Sequence, residues 1–316
     1  MSLSIVIGIL KNAAGDIFIT RRHAHLSQGG LWEFPGGKVE PKETLEAALA
    51  RELHEEIGIQ LLQSRRLIRL EDCYSTHPLT LHVFLVTQYL GNPVSQLNQE
   101  WAWVHPDNLA NYAFPAANKP ILSALRLPPF YAILDDTDNK DLAFKLNALL
   151  TQDIKLIQAR LKKTNAKTTQ AFLQYAYPRC QAQGVSLLVN SDNQLALTMP
   201  CDGIHLTHKA LHQWQTRPST LRWLSASCHT LDELAKAAAL GVDFAVLSPV
   251  LKTPTHPDTL PLGWQTFEQL VNNATIPIYA LGGVQKTDLS KVQSLGAQGI
   301  AGIRTFLDER GYDYNR

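Results

Sequence analysis

Between Gly37 and Ile59 the chain reads GKVEPKETLEAALARELHEEIGI, and the spacing of its glutamates restricts what this stretch can become. At about 100° per residue a helix carries Glu52, Glu55 and Glu56 on one face, while Leu49, Leu53 and Ile57 form an apolar stripe roughly a quarter-turn round. One face packs and the other collects charge. Like charges stacked this way cost a few tenths of a kcal/mol per pair in a bare helix, so the cluster makes best sense around a hard divalent cation. The spacing predicts a helix over about residues 43–57, with Gly58 as its glycine C-cap and Gly36-Gly37 as the sharp bend ahead of it.

Written as a pattern, the stretch is G-x5-E-x7-R-E-U-x-E-E-x-G-U, with U apolar, met at Gly37, Glu43, Arg51, Glu52, Leu53, Glu55, Glu56, Gly58 and Ile59. At ordinary residue usage such a match arises by chance in on the order of one chain in ten million, so a solvated acidic helix is the weaker explanation. The pattern is the Nudix box. Residues 1–127 resemble the MutT-like branch of the Nudix hydrolases, through VIGIL (6–10), IFITRR (17–22), LWEFPGGKVE (31–40) and FPAANKPIL (114–122).

The resemblance implies a mixed α/β/α sandwich that cleaves a nucleoside triphosphate to the monophosphate and pyrophosphate with Mg²⁺, or Mn²⁺ in its place. It implies that Glu52, Glu55 and Glu56 hold the metal with the Gly37 carbonyl and a later glutamate, Glu100. Arg51 and Glu43 would support them as an ion pair between helix and loop. For the nucleobase it implies Phe34 and Asn118, with Arg22 as a further substrate contact, and a preference for an oxidised guanine such as that of 8-oxo-dGTP. An Asn amide both donates and accepts, and an aromatic wall stacks. On the residues alone, Phe34 is as well explained as core and Asn118 as a helix N-cap. The segment DCYSTHPLT (72–80) departs from the family's acidic and basic pair and offers Thr76 and His77.

The chain has 316 residues, 45% hydrophobic and 18% charged, with net charge +1. That length accommodates two domains, and the near-neutral balance without a basic run argues against a duplex nucleic-acid groove or an anionic membrane surface. A small molecule, by the first resemblance a nucleotide, is the expected partner. Cys73, Cys180, Cys201 and Cys228 lack C-x-x-C spacing, which fits free structural thiols in a reducing cytoplasm better than disulfides or a zinc site. The opening LSIVIGIL is too short for a bilayer span and has no basic segment before it, so a signal peptide is not expected.

RLPP at 126–129 marks a stiff boundary, giving expected domains at 1–127 and 130–316. Beyond it, eight apolar runs alternate with helical stretches: 130–135, 154–160, 185–190, 203–206, 221–227, 243–250, 276–283 and 299–303. Eight βα units predict a compact (β/α)8 TIM barrel, with chemistry at the strand C-terminal ends. These ends resemble the thiamine-phosphate synthase and TenI family over about residues 130–309, through YAILDD, QARLKK, LLVNSD, CDGIHL, SASCHT, LSPVLKTPTH and ALGGV.

This second resemblance implies that Gln158, Arg160 and Lys162 grip a pyrophosphate, and that Asn190 and Asp202 serve pyrimidine and metal. Ser227 would contact the leaving phosphate, and Thr253, Thr255 and Gly283 would hold a thiazole phosphate. The chain departs from the pattern at Ser191, where a metal carboxylate is expected, at His256, where a lysine is expected, and at Arg304, a usually small position. Losing a metal ligand and a phosphate lysine together costs several kcal/mol of transition-state stabilisation if nothing replaces them. The barrel is therefore expected to be degenerate, a binder of a thiamine-related phosphate or a catalyst of another step such as thiazole tautomerisation through His229. The alternative is a thiamine-metabolism enzyme in which the Nudix half cleaves a thiamine or pyrimidine pyrophosphate and the barrel acts as synthase or tautomerase.

Overall fold

The computed structural model describes residues 3–72, 79–136, 141–190, 198–253 and 259–307, and the chain divides into two units whose main break lies between Arg126 and Leu127. In the first, β1 (Leu3–Leu10), β2 (Ile17–Arg21), β3 (Trp32–Glu33) and β4 (Gly36–Lys38) precede the helix α1 (Leu45–Ile57). Then come β5 (Gln60–Asp72), β6 (Leu79–Leu90), β7 (Trp101–Val104) and α2 (Lys119–Arg126). The strands form a four-stranded sheet in the order β4-β1-β6-β5 and a three-stranded sheet β3-β2-β7. β1 runs parallel to β6 and antiparallel to β4, so the sheet is mixed.

α1 starts two residues later than expected because Thr44 caps it, its side chain accepting from the Ala47 N–H at 3.2 Å. It stops at Gly58, which adopts the left-handed conformation at φ 71° that glycine accepts without strain. Ala48, Leu49, Leu53 and Ile57 are fully buried against Val6, Leu10 and Phe18. Leu49, Leu53 and Ile57 each contribute about 1.5–3 kcal/mol by leaving water. Gly8 allows the close approach, since a Cβ there would lie 2.8 Å from a methyl of Leu53.

The second unit opens with β8 (Phe130–Asp135), α3 (Leu142–Leu150), β9 (Leu156–Arg160), α4 (Ala166–Ala182) and β10 (Ser186–Asn190). It continues with β11 (Gly203–Leu206), α5 (His208–Gln213), β12 (Trp223–Cys228), α6 (Leu231–Leu240) and β13 (Phe244–Leu247). α7 (Gly263–Asn273), β14 (Ile278–Ala280), α8 (Leu289–Ser294) and β15 (Gly299–Gly302) complete it. The eight strands expected from the sequence are all present and close into one barrel, β8 pairing with both β9 and β15. Every pairing is parallel.

A period of two along each strand sorts side chains between the barrel interior and the surrounding helices. In the lower interior Tyr131, Trp223, Phe244 and Tyr279 pack edge to face, Tyr131 and Phe244 with centroids 5.3 Å apart at 88°. Above them the interior is mixed: Gln158, Asn190, His205 and Ser227 face the mouth on four strands, while Ile133, Val246 and Leu281 do so on or just after three others. The aromatic plug is thus a floor beneath the barrel mouth. Cys180 and Cys228 are buried free thiols, and burial pushes both up to about 12. Among the described residues no helix is long and apolar enough to cross a membrane.

Candidate functional site

On α1 the helical period does what the sequence requires: Ala48, Leu49, Leu53 and Ile57 turn inward, and Glu52, Glu55 and Glu56 gather beside the Gly36-Gly37 strand. The Gly36 N–H donates to Glu56 Oε2 at 2.9 Å. The Glu52 carboxylate lies over Gly37 so closely that a Cβ there would sit 2.4 Å from both of its oxygens. Glycine at 37 is therefore a steric requirement of the carboxylate cluster. Burial raises the Glu56 carboxyl to about 7; the Gly36 N–H opposes this, while the neighbouring charges of Glu33 and Glu52 add to it.

Arg51 compensates part of this charge. Its Nε and Nη2 donate to the two oxygens of Glu43, each at 3.0 Å, and Nη2 also reaches the Lys38 carbonyl at 3.0 Å. Nη1 donates to Glu52 at 2.8 Å and to Glu55 at 3.3 Å. One guanidinium thus ties the loop to the helix and screens two glutamates, which lowers the Glu43 carboxyl and raises the guanidinium further. Glu55 is the outermost of the three glutamates, its side chain 58% exposed.

Glu100 is placed differently from the other expected ligands. Its side chain is 60% exposed and pairs with Arg21 Nη1 at 3.0 Å. Its neighbour Gln99 reaches the cluster instead, donating to Glu33 Oε1 at 3.3 Å. Arg22 donates to Glu33 Oε2 at 2.8 Å and to the Ser27 carbonyl at 2.7 Å. Glu33 and Gln99 were not anticipated. The available signal for Glu33 is a lone carboxylate within the apolar run LWEFP, held on β3 beside β2.

The two expected base contacts are both buried. Phe34 belongs to the core and stacks on Phe114 with centroids 5.1 Å apart. Asn118 is only 7% exposed, at the end of a short 3-10 turn, Ala116–Asn118, that runs into α2. Its backbone N–H donates to the Pro115 carbonyl. Among the described residues its side-chain amide has no hydrogen-bond partner, so it caps no helix. Thr76 and His77 lie outside the described residues.

At the barrel mouth a cavity of about 410 Å³ is lined by Gln158, Arg160, Lys162, Asn190, Ser227 and Thr253, among others. Arg160 donates to Asp135 Oδ2 at 2.5 Å. Asp136 accepts the backbone N–H groups of Lys162, Lys163 and Thr164. Burial raises the Asp136 carboxyl, but those donors outweigh it and the net shift is downward. The result fixes the loop that carries Lys162. His205, which the sequence reading passed over, bridges Ser225 Oγ and Ser227 Oγ at 2.8 Å each. An adjoining cavity of about 240 Å³ brings together Thr253, Gly282, Gly283 and Arg304. Gly283 has φ 72°, and a Cβ there would meet the Lys252 carbonyl at 2.6 Å. Among the described residues lining the larger cavity, none carries a carboxylate.

Asp202 requires a correction. It precedes β11 and so lies at the opposite end of the barrel from the mouth. Its carboxylate accepts the Leu187 N–H at 2.8 Å and both of its oxygens accept from Gln181 Nε2. Asp243, before β13, does the same for the Leu224 N–H. These are supports of the barrel floor and cannot reach a ligand at the mouth. Thr255, Ser191 and His256 lie outside the described residues.

Comparison with known proteins agrees with both halves. Residues 6–124 match the NUDIX domain model and residues 130–306 the thiamine monophosphate synthase model. An 8-oxo-dGTP diphosphatase of Escherichia coli is 38% identical over 39% of this chain and 96% of its own length. A CTP pyrophosphohydrolase of the same organism is 33% identical over 39% of this chain and 92% of its own. A thiamine-phosphate synthase of Herpetosiphon aurantiacus is 28% identical over 56% of this chain and 88% of its own. With its glutamate-bearing helix in one unit and a closed parallel barrel in the other, the chain belongs to the MutT-like Nudix hydrolases through the first and to the thiamine monophosphate synthase family through the second.

Proposed function

We propose that the first unit is a Mg²⁺-dependent nucleoside triphosphate pyrophosphohydrolase acting on an oxidised purine nucleotide of the 8-oxo-dGTP kind, giving the monophosphate and pyrophosphate. The observation that carries the reaction is the carboxylate cluster at Gly36-Gly37. Glu52, Glu55 and Glu56, with the Gly37 carbonyl, are an oxygen-only donor set, and the space that a Cβ at Gly37 would fill is taken by the Glu52 carboxylate. Such a set fits a hard cation, with Mn²⁺ as a substitute. When bound, the ion neutralises the triphosphate charge and lowers the cost of activating water.

The remaining work belongs to the chain. In the metal-free chain burial raises Glu56 to about 7; a bound cation would compete for that proton and hold the carboxylate in its charged, ligating form. Arg51 positions Glu52 and Glu55 while Glu43 holds the guanidinium. Glu100 sits one residue from Gln99, whose contact with Glu33 brings this strand end beside the cluster, and we assign it as the outermost carboxylate of the set. Asn118 supports the choice of base: its amide, without a hydrogen-bond partner among the described residues, can donate to and accept from the edge of an oxidised guanine. Arg22 lies on the same side through Glu33, and Phe34 backs the pocket from the core.

For the barrel, the ring of Gln158, Arg160, Lys162, Asn190 and Ser227 is the inventory of an anion receptor, and Gly283 and Thr253 extend it. With Asp202 on the floor, the barrel binds a thiamine-related phosphate without completing the synthase reaction. Two assays test these readings. A panel of nucleoside triphosphates and thiamine-related diphosphates is turned over by the intact chain with Mg²⁺. The proposal requires 8-oxo-dGTP to exceed dGTP in kcat/KM by at least about tenfold, or ~1.4 kcal/mol; equal rates, or a preference for CTP or a thiamine diphosphate, overturn it. Supplying both thiamine halves and detecting thiamine phosphate would overturn the barrel reading.

A further inference from the structure

On the rim of the larger cavity three side chains converge that neither proposed activity uses. His208 opens α5, His229 directly follows β12, and Glu233 lies in the first turn of α6. One ligand atom from each lies within 4.8 Å of the others. We propose that His208, His229 and Glu233 form a binding site for a borderline divalent ion of the Zn²⁺ or Co²⁺ class at the barrel mouth.

The surroundings orient all three. Thr230 caps α6 and accepts the Glu233 N–H at 3.3 Å. The Glu233 carboxylate folds back, Oε2 accepting the His229 N–H at 2.6 Å. That leaves Oε1, which faces His208 Nδ1 at 3.1 Å. His229 Nδ1 lies 2.7 Å from the Ser248 carbonyl. A carbonyl only accepts, so Nδ1 carries the proton and Nε2 keeps its lone pair. A histidine tied to a backbone carbonyl in this way has the arrangement that metal-binding imidazoles use. The carboxylate is likewise held by its second oxygen.

The geometry is close to what an ion needs. Donors about 2.1 Å from a common ion lie roughly 3.0–3.4 Å apart, and the His208–Glu233 pair is already at that separation. Rotation of the exposed His208 ring closes the remainder. Two imidazoles and one carboxylate select a borderline ion, whereas the oxygen-only cluster on α1 suits Mg²⁺. Three protein ligands also leave a position open, and His208 and His229 both line the cavity. The site does not depend on either proposed activity.

The test uses the full chain, stripped with chelator and then held in excess Mg²⁺ to fill the carboxylate cluster. Titration with Co²⁺ is followed by visible d–d absorption. The expected result is one equivalent of Co²⁺ with a nitrogen-ligated spectrum, displaced by Zn²⁺, and bound at least tenfold more weakly in H208Q and in H229Q. H212Q, one turn along α5 and outside the ligand set, should bind as the parent does. E233Q keeps the side-chain shape, so weakened binding in it, with an unchanged circular dichroism spectrum, separates lost ligation from lost folding. Absence of the band, or a band that survives in the H208Q/H229Q double variant, would show that His208 and Glu233 make an ordinary ion pair and overturn the proposal.

Discussion

Ionising a carboxyl that is buried beside other carboxylates is costly, and Glu56 bears that cost. Its folded value, about 7 against an ordinary 4.5, means that the folded chain holds the proton longer than the unfolded one. The contribution to stability is therefore fully present below about 4.5 and is lost as pH rises through about 7. In the metal-free chain the loss amounts to roughly 3 kcal/mol at most. Thermal melts across this window should show the decline, and E56Q should flatten it. Mg²⁺ competes with the same proton, so it should raise Tm more above pH 7 than at about pH 5. Asn118 makes a separate prediction. N118A should lower kcat/KM for 8-oxo-dGTP by about 1–3 kcal/mol and erase its advantage over dGTP, measured on both substrates; unchanged discrimination would remove Asn118 from base recognition. The three glutamates of α1 were legible because helical spacing alone puts them on one face. The isolation of the Asn118 amide was not, because it depends on which partners the fold withholds.

At the level of the element, close packing sets what the strands and helices tolerate. Gly37 lies under the Glu52 carboxylate, so G37A must push that side chain off the cluster; turnover should fall at least about tenfold while the fold, followed by circular dichroism, persists. Asp202 tests the barrel in the opposite sense. Its carboxylate satisfies the Leu187 N–H at the floor, so D202A should cost about 1–3 kcal/mol of stability, read as a lower denaturation midpoint. It should leave phosphate-ester binding at the mouth unchanged. The sequence misled here for a physical reason. CDGIHL places an acid beside a strand, but the period of two that puts His205 inside puts Ile204 and Asp202 outside, and Asp202 lies before the strand begins. Glu233 and His208 escaped notice because they belong to different helices and meet only when the barrel closes.

At the scale of the whole molecule, two folds share one chain. The first collects oxygen donors on a single helix, so its chemistry survives compression into a sequence pattern. The second distributes its ligands one or two per strand end, so the barrel was legible as eight apolar runs while its site was legible only through resemblance. Periodicity predicted α1 and the eight-stranded barrel, and resemblance the sandwich of the first unit; the partners of Glu33, Gln99 and His205 required the folded chain. The central claim, that the α1 carboxylates perform the hydrolysis, is tested most directly by turnover of 8-oxo-dGTP by full-length E56Q with Mg²⁺. A loss of about 10²–10⁴-fold in kcat with an unchanged circular dichroism spectrum is the predicted result; activity within about threefold of the parent would contradict it.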